Sequence, residues 1–140
     1  MSLLNVFNIS GTAMSAQSVR LNVTASNMAN ADAISSSIDQ TYKARHPVFQ
    51  TILDDMNFGE SGTTGGVRVA GVVESQVPAS KEYQPGNPLA DEEGYIYRPN
   101  VNIIEEMANM IAASRNYQTN VEMVNASKKM LTETLGIGRG

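Results

Sequence analysis

The sequence has no cysteine, only one histidine, and charged residues at just 17% of its length. Without cysteine there is no disulfide framework, no thiolate metal site and no cysteine nucleophile. Charge is below the usual quarter of a globular chain. The net charge of -4 offers no basic patch to neutralise phosphates, so a nucleic-acid partner is not expected. Long apolar runs are missing too. No stretch approaches the roughly 18 residues that a membrane-spanning helix needs. The first residues lack a basic n-region, a continuous apolar h-region and a small-residue cleavage site, so no ordinary secretory signal is expected. Passage out of the cytoplasm would take another route.

Residues suited to catalysis are equally scarce. His46 precedes Pro47, and a general base needs a nucleophile and an orienting carboxylate that no motif here supplies. Asp54-Asp55 and Asp91-Glu92-Glu93 lack the alternating ligand spacing and central glycine of a calcium loop and read as solvated turns. The glycines of Gly59–Gly66 are not followed by Lys-Ser or Lys-Thr, so they do not form a phosphate-binding loop. Lys128-Lys129 suits the negative end of a helix dipole. The expectation is a non-enzyme with no cofactor, no metal and no small-molecule substrate.

What is present is periodicity. The 140 residues, 41% apolar, are enough for one modest domain, and they divide into three zones. Residues 1–31 form a heptad helix, 32–99 a small β and loop insertion, and 100–140 a second heptad helix. The fold class expected is α+β, with long N- and C-terminal coiled-coil helices flanking a small irregular β insertion.

In the first zone Phe7, Met14, Leu21 and Met28 recur at intervals of seven, with Leu4, Gly11, Ser18 and Ala25 three residues ahead of each. Together they form an a/d seam, mostly small at one position, which lets a neighbouring helix approach closely. From Ser2 to Ala31 only Arg20 carries a charged side chain. A helix with a free outer face normally shows interspersed Lys and Glu, so more than one face here is expected to meet protein. Gly11 and the many Asn, Ser and Thr residues also predict a helix that is weak alone and orders on assembly.

The third zone repeats the pattern. Ile103, Met110, Tyr117, Val124 and Leu131 form one series of seven, and Met107, Ser114, Val121, Lys128 and Leu135 the other. Asn102 and Glu105 are spaced as a capping box, and Gly136 and Gly138 mark the end. Such a helix is about 50 Å long, more than a compact domain of this size can cover. The methionines on these seams, Met14, Met28, Met107 and Met110, suit an adaptable interface between subunits. Between the helices, Val48–Leu53, Val67–Ser75 and Tyr95–Tyr97 are candidate strands, and Tyr83-Gln84-Pro85-Gly86-Asn87-Pro88 is a turn.

Several runs are more specific than the heptads. Leu3-Leu4-Asn5-Val6-Phe7, Ala16-Gln17-Ser18, Arg20-Leu21-Asn22-Val23 and Ser26-Asn27-Met28-Ala29-Asn30-Ala31-Asp32 resemble the opening of flagellar basal-body rod proteins of the FlgC type. The last run holds the Asn-x-x-Asn, Asn27 and Asn30, shared among rod and hook proteins. Gly65-Gly66-Val67, Glu74-Ser75-Gln76, Pro85-Gly86-Asn87-Pro88-Leu89-Ala90-Asp91, Gly94-Tyr95 and Pro99-Asn100-Val101 are similar to that family as well. So are Ser114-Arg115-Asn116-Tyr117-Gln118-Thr119-Asn120 and Val121-Glu122. The resemblance covers nearly the whole chain. It departs at Ile38-Asp39-Gln40-Thr41-Tyr42, where the family tends to have Asp-Gly-Gln-Pro-Tyr, and over Leu53–Gly62.

The resemblance implies a structural subunit of the proximal rod, in the basal body within the periplasmic space. It implies export through the flagellar type III apparatus without a cleaved signal, and self-association in a hollow, torque-transmitting shaft. Its neighbours would be other rod proteins and the rod-to-ring junction protein, with the membrane ring a further candidate. The expected assembly interface comprises Leu4, Phe7, Met14, Leu21, Asn27, Met28 and Asn30 from the first helix. The second contributes Ile103, Met107, Met110, Ser114, Tyr117, Val121, Val124, Leu131 and Leu135. A competing reading uses the same heptads in a self-contained coiled-coil adaptor or chaperone-like binding module. A wall-remodelling enzyme lacks an acid–base pair.

Overall fold

The computed structural model describes residues 3–53 and 65–138, and it is an α+β protein. Helix α1 spans Leu3–Ala29 and helix α2 spans Ile103–Ile137. Between them lie β1 (Arg45–Leu53), β2 (Gly65–Glu74), β3 (Ser80–Tyr83) and β4 (Tyr95–Arg98). The two helices pack on each other, and α1 also packs against β1 and β2. Arg20, in the second half of α1, reaches Asn109 near the start of α2, while α2 stays buried as far along as Ser127. The pair is therefore antiparallel. Its lengths of 27 and 35 residues correspond to about 40 and 50 Å, so α2 outruns its partner, and residues 128–138 are all exposed.

Asn102 caps α2 as its position predicts. Its side-chain oxygen accepts from the backbone N–H of Ile104 at 3.0 Å and of Glu105 at 3.4 Å, which satisfies donors that have no partner inside the first turn. Glu105 and Glu106 follow in that turn, where the dipole favours negative charge. Gly138 is the C-cap, while Gly136 lies inside the helix.

The strands form two separate two-stranded antiparallel sheets, β1–β2 and β3–β4. A bulge between Val48 and Phe49 breaks the first register. Sequence patterning anticipates β1, β2 and β4 but not β3, whose Ser-Lys-Glu-Tyr is exposed throughout and carries no apolar alternation. Gly65 and Gly66 begin β2. The rest of that glycine run, with Asp54 and Asp55, lies outside the described residues. Residues Ser35 and Tyr97 exchange two backbone hydrogen bonds at 3.0 Å, tying the chain after α1 to β4.

Tight approach explains two glycines. A Cβ on Gly66 would stand 3.2 Å from Thr12 Oγ1. That hydroxyl accepts from the Val67 N–H at 3.2 Å and holds β2 on α1. Gly94 has φ +85° beside Tyr83 and Pro85, a left-handed turn conformation that glycine adopts without steric cost.

Candidate assembly interface

The seam between the helices is made of small and polar residues. On α1 Ser10, Ala16 and Thr24 are buried, and on α2 Glu106, Ala113 and Ser127, while buried Asn27 turns to the insertion. Glu106, Ala113 and Ser127 fall on one series of seven, as do Ser10 and Thr24, with half-buried Gln17 between them. Small side chains let the backbones close in, and Ala113 is completely covered. Glu106 is 5% exposed in a cleft that Arg20, Thr24, Arg45 and Asn109 also line.

The expected seams thus shift by a step. Phe7, Met14, Leu21 and Met28 are half-buried, while Gly11, Ser18 and Ala25, expected at the close approach, are exposed. Leu4 lies in the first turn, its side chain outside the described residues. On α2 Met110, Ser114, Val121 and Val124 are half-buried. Ile103, Met107, Tyr117, Leu131 and Leu135 are exposed, with Tyr117 at 38% and Leu135 at 63%. The hydrophobic periodicity locates the helices correctly, but within the chain the closest contact goes to Ala113 and its polar neighbours. The large apolar heptad residues flank that contact and keep surface in reserve.

Asn27 and Asn30 have separate intramolecular positions. Asn30 Nδ2 donates to the Ser26 carbonyl at 2.8 Å, an oxygen that also accepts from the Asn30 backbone N–H at 3.2 Å. Asn27, 1% exposed, bonds across to Tyr42 and Arg45. Tyr42, Thr12, Asn109 and Glu106 are residues that sequence patterning does not single out. Only the lone charge of Arg20 in a neutral helix marks it as purposeful, and its Nη2 donates to Asn109 Oδ1 at 2.8 Å.

Elsewhere the polar clusters are structural. Asp91 Oδ1 accepts from the backbone N–H of Tyr95 at 2.8 Å and of Glu93 at 3.0 Å, and Oδ2 accepts from the Tyr97 hydroxyl at 3.2 Å. The bond from Tyr95 is the largest influence on this carboxyl. Desolvation opposes it, and the bonds from Glu93 and Tyr97 with the charge of Lys81 reinforce it, holding the pKa below the ordinary 3.8. Lys81 Nζ lies 3.9 Å from the Tyr95 ring centroid and 3.6 Å from Glu93. His46 is exposed at the start of β1. Among the described residues no group of His, Asp and Glu could hold a metal ion, and no helix is long and apolar enough to cross a membrane.

Comparison with known proteins accounts for both helical ends. Residues 7–33 match the family described as flagella basal body rod protein. Residues 92–137 match the flagellar basal body rod FlgEFG protein C-terminal family. Flagellar basal-body rod protein FlgC of Escherichia coli O6:H1 is 50% identical over 139 residues, 99% of this chain and 100% of the relative. The Salmonella typhimurium LT2 protein has the same identity and coverage. That of Buchnera aphidicola subsp. Acyrthosiphon pisum is 42% identical over 137 residues, 98% of each chain. The chain belongs to the FlgC family of flagellar basal-body rod proteins.

Proposed function

We propose that this rod subunit, a structural protein and not an enzyme, assembles through the apolar residues, on and beside the heptad series, that its own helix pair leaves uncovered. One observation carries the proposal. Among the described residues the buried hydrophobic set is Ala16, Ala31, Ala44, Ile96 and Ala113, while Ile104, Met107, Ile111, Met123, Leu135 and Ile137 are each more than 45% exposed on one helix. The accessible surface, 9862 Å² for 15.1 kDa, exceeds the roughly 7,100 Å² expected of a compact monomer. Burying the apolar part of such a surface against neighbours is favourable at about 25 cal/mol per Å².

In this reading the two helical ends, residues 1–31 and 100–140, form the core of the proximal rod, and residues 32–99 add lateral contacts. Contacts between unlike faces, repeated head to tail without closing, build a helical tube. The subunit reaches the periplasmic space through the flagellar type III apparatus without a cleaved signal. It meets other rod proteins and the rod-to-ring junction protein, with the membrane ring a further candidate. A self-contained adaptor would instead cover its heptad residues within one chain, and Leu135 and Met107 are not so covered.

The test is complementation of a strain lacking the subunit. Leu21→Asp and Tyr117→Asp are each expected to abolish rod assembly and swimming while the insertion within the variant chain stays soluble. Normal swimming by either variant contradicts the assigned surface.

A further inference from the structure

The α1–β1 junction holds a buried amide whose every strong bond crosses from helix to insertion. Asn27 Nδ2 donates to the Arg45 carbonyl at 2.8 Å. Its Oδ1 accepts from the Arg45 N–H at 2.9 Å and from the Tyr42 hydroxyl at 2.8 Å. The amide orientation is fixed by chemistry, because a backbone N–H must face an oxygen and a carbonyl must face the NH₂ group. Asn27 thereby reads both backbone groups of the first residue of β1, as a neighbouring strand would. Other contacts converge here. The Ser26 and Tyr42 hydroxyls lie 3.4 Å apart, and the Arg45 guanidinium sits 5.7 Å from the Tyr42 ring centroid. Arg45 also pairs with Glu74 across the sheet at 3.5 Å, and the Ser75 N–H donates to the Ala44 carbonyl at 2.7 Å.

We infer that Asn27 is a positioning residue: its amide sets the orientation of the β1–β2 hairpin on the helix pair, and so the relation between the inner helical surface and the lateral surface of the subunit. A second anchor on α1 is a single bond. Toward the far end of the hairpin, Thr12 holds Val67 by one hydroxyl at 3.2 Å. The β3–β4 sheet joins by the separate bridge from Ser35 to Tyr97 and does not pair with the hairpin. Among the described residues the two anchors lie at opposite ends of the hairpin, one of three bonds and one of a single bond. Removing the stronger loosens the hairpin at the β1 start, where the packing of α1 on β1 and β2 alone then holds it. This inference rests on the assembly reading above only for its consequence. The geometry stands by itself.

The absence of native cysteine makes the test direct. Paired spin labels at Ala25→Cys on α1 and Thr51→Cys on β1 report the hairpin, and Ala25→Cys with Ala112→Cys on α2 reports the helix pair. All three sites are exposed. In the full chain, Asn27→Leu keeps the volume and removes all three bonds, Asn27→Asp keeps the Oδ1 acceptor, and Tyr42→Phe removes one bond. The expected result is loss of the single narrow hairpin distance in Asn27→Leu, a smaller broadening in Asn27→Asp and Tyr42→Phe, and an unchanged helix-pair distance in Tyr42→Phe. A purely space-filling role predicts a native hairpin distance in Asn27→Leu, and that outcome overturns the inference. A native distance in Tyr42→Phe, where two of the three bonds remain, overturns the graded, bond-by-bond account. The same variants tested for swimming separate the two readings. A loosened hairpin with normal swimming upholds the positioning role and contradicts the lateral contacts assigned to the insertion.

Discussion

Arg20 and Asn109 are joined across the helix pair by a 2.8 Å bond from guanidinium to amide oxygen. The only charged side chain between Ser2 and Ala31 is thus used internally. Both partners are half-buried, so the bond is partly shielded from competing water, and it fixes the longitudinal register of an otherwise small-residue seam.

Arg20→Ala is therefore expected to destabilise the chain by about 2 kcal/mol, the scale of a hydrogen bond to a charged group. Asn109→Ala should cost a similar amount. Denaturant unfolding of the two single variants and the double variant checks this, and the double variant should fall short of the sum because both changes remove the same bond.

Ala113 is completely covered where α2 meets α1. Ala113→Leu inserts three carbons where the backbones approach, and overpacking of this kind costs about 1–3 kcal/mol. By contrast Ala112→Leu, on the exposed side, should alter thermal stability by less than about 0.5 kcal/mol. Equal effects from the two substitutions would contradict the seam.

The acid response of the β3–β4 turn has a definite sign. Asp91 is held below the ordinary 3.8 chiefly by the bond from the Tyr95 N–H. A depressed folded pKa contributes stability that is whole above 3.8 and is lost as pH falls through the lower folded value. The Tyr95 and Glu93 amide resonances should therefore shift together below pH 3.8, and Asp91→Asn should remove that transition. A midpoint above 3.8 would contradict the turn geometry.

Much of this architecture is legible from patterning. Seven-residue spacing from Phe7 to Met28 and from Ile103 to Leu131 places both helices, and Asn102 marks where α2 begins. β-branched runs locate β1 and β2, whereas β3 is hidden because its solvated Ser80–Tyr83 has no apolar face to announce it. The seam is less legible. Hydrophobic periodicity ranks Leu21 and Tyr117 above Thr24 and Ala113, yet close helix approach selects for smallness, so the latter take the buried positions. The Asn-x-x-Asn run signals importance without revealing its use. The division of labour, with Asn27 gripping β1 and Asn30 bonding back to Ser26 within its own helix end, depends on where residue 45 returns in space, and no local pattern carries that.

Surface exposed on the single chain should become buried in the rod. Thiol labelling of Met107→Cys and Leu135→Cys, in the purified chain and in isolated basal bodies, measures this without interference from native cysteine. Rapid labelling of both sites in the free chain and strong protection of both in basal bodies is the expected result. Equal labelling in the two states would overturn the assigned assembly surface.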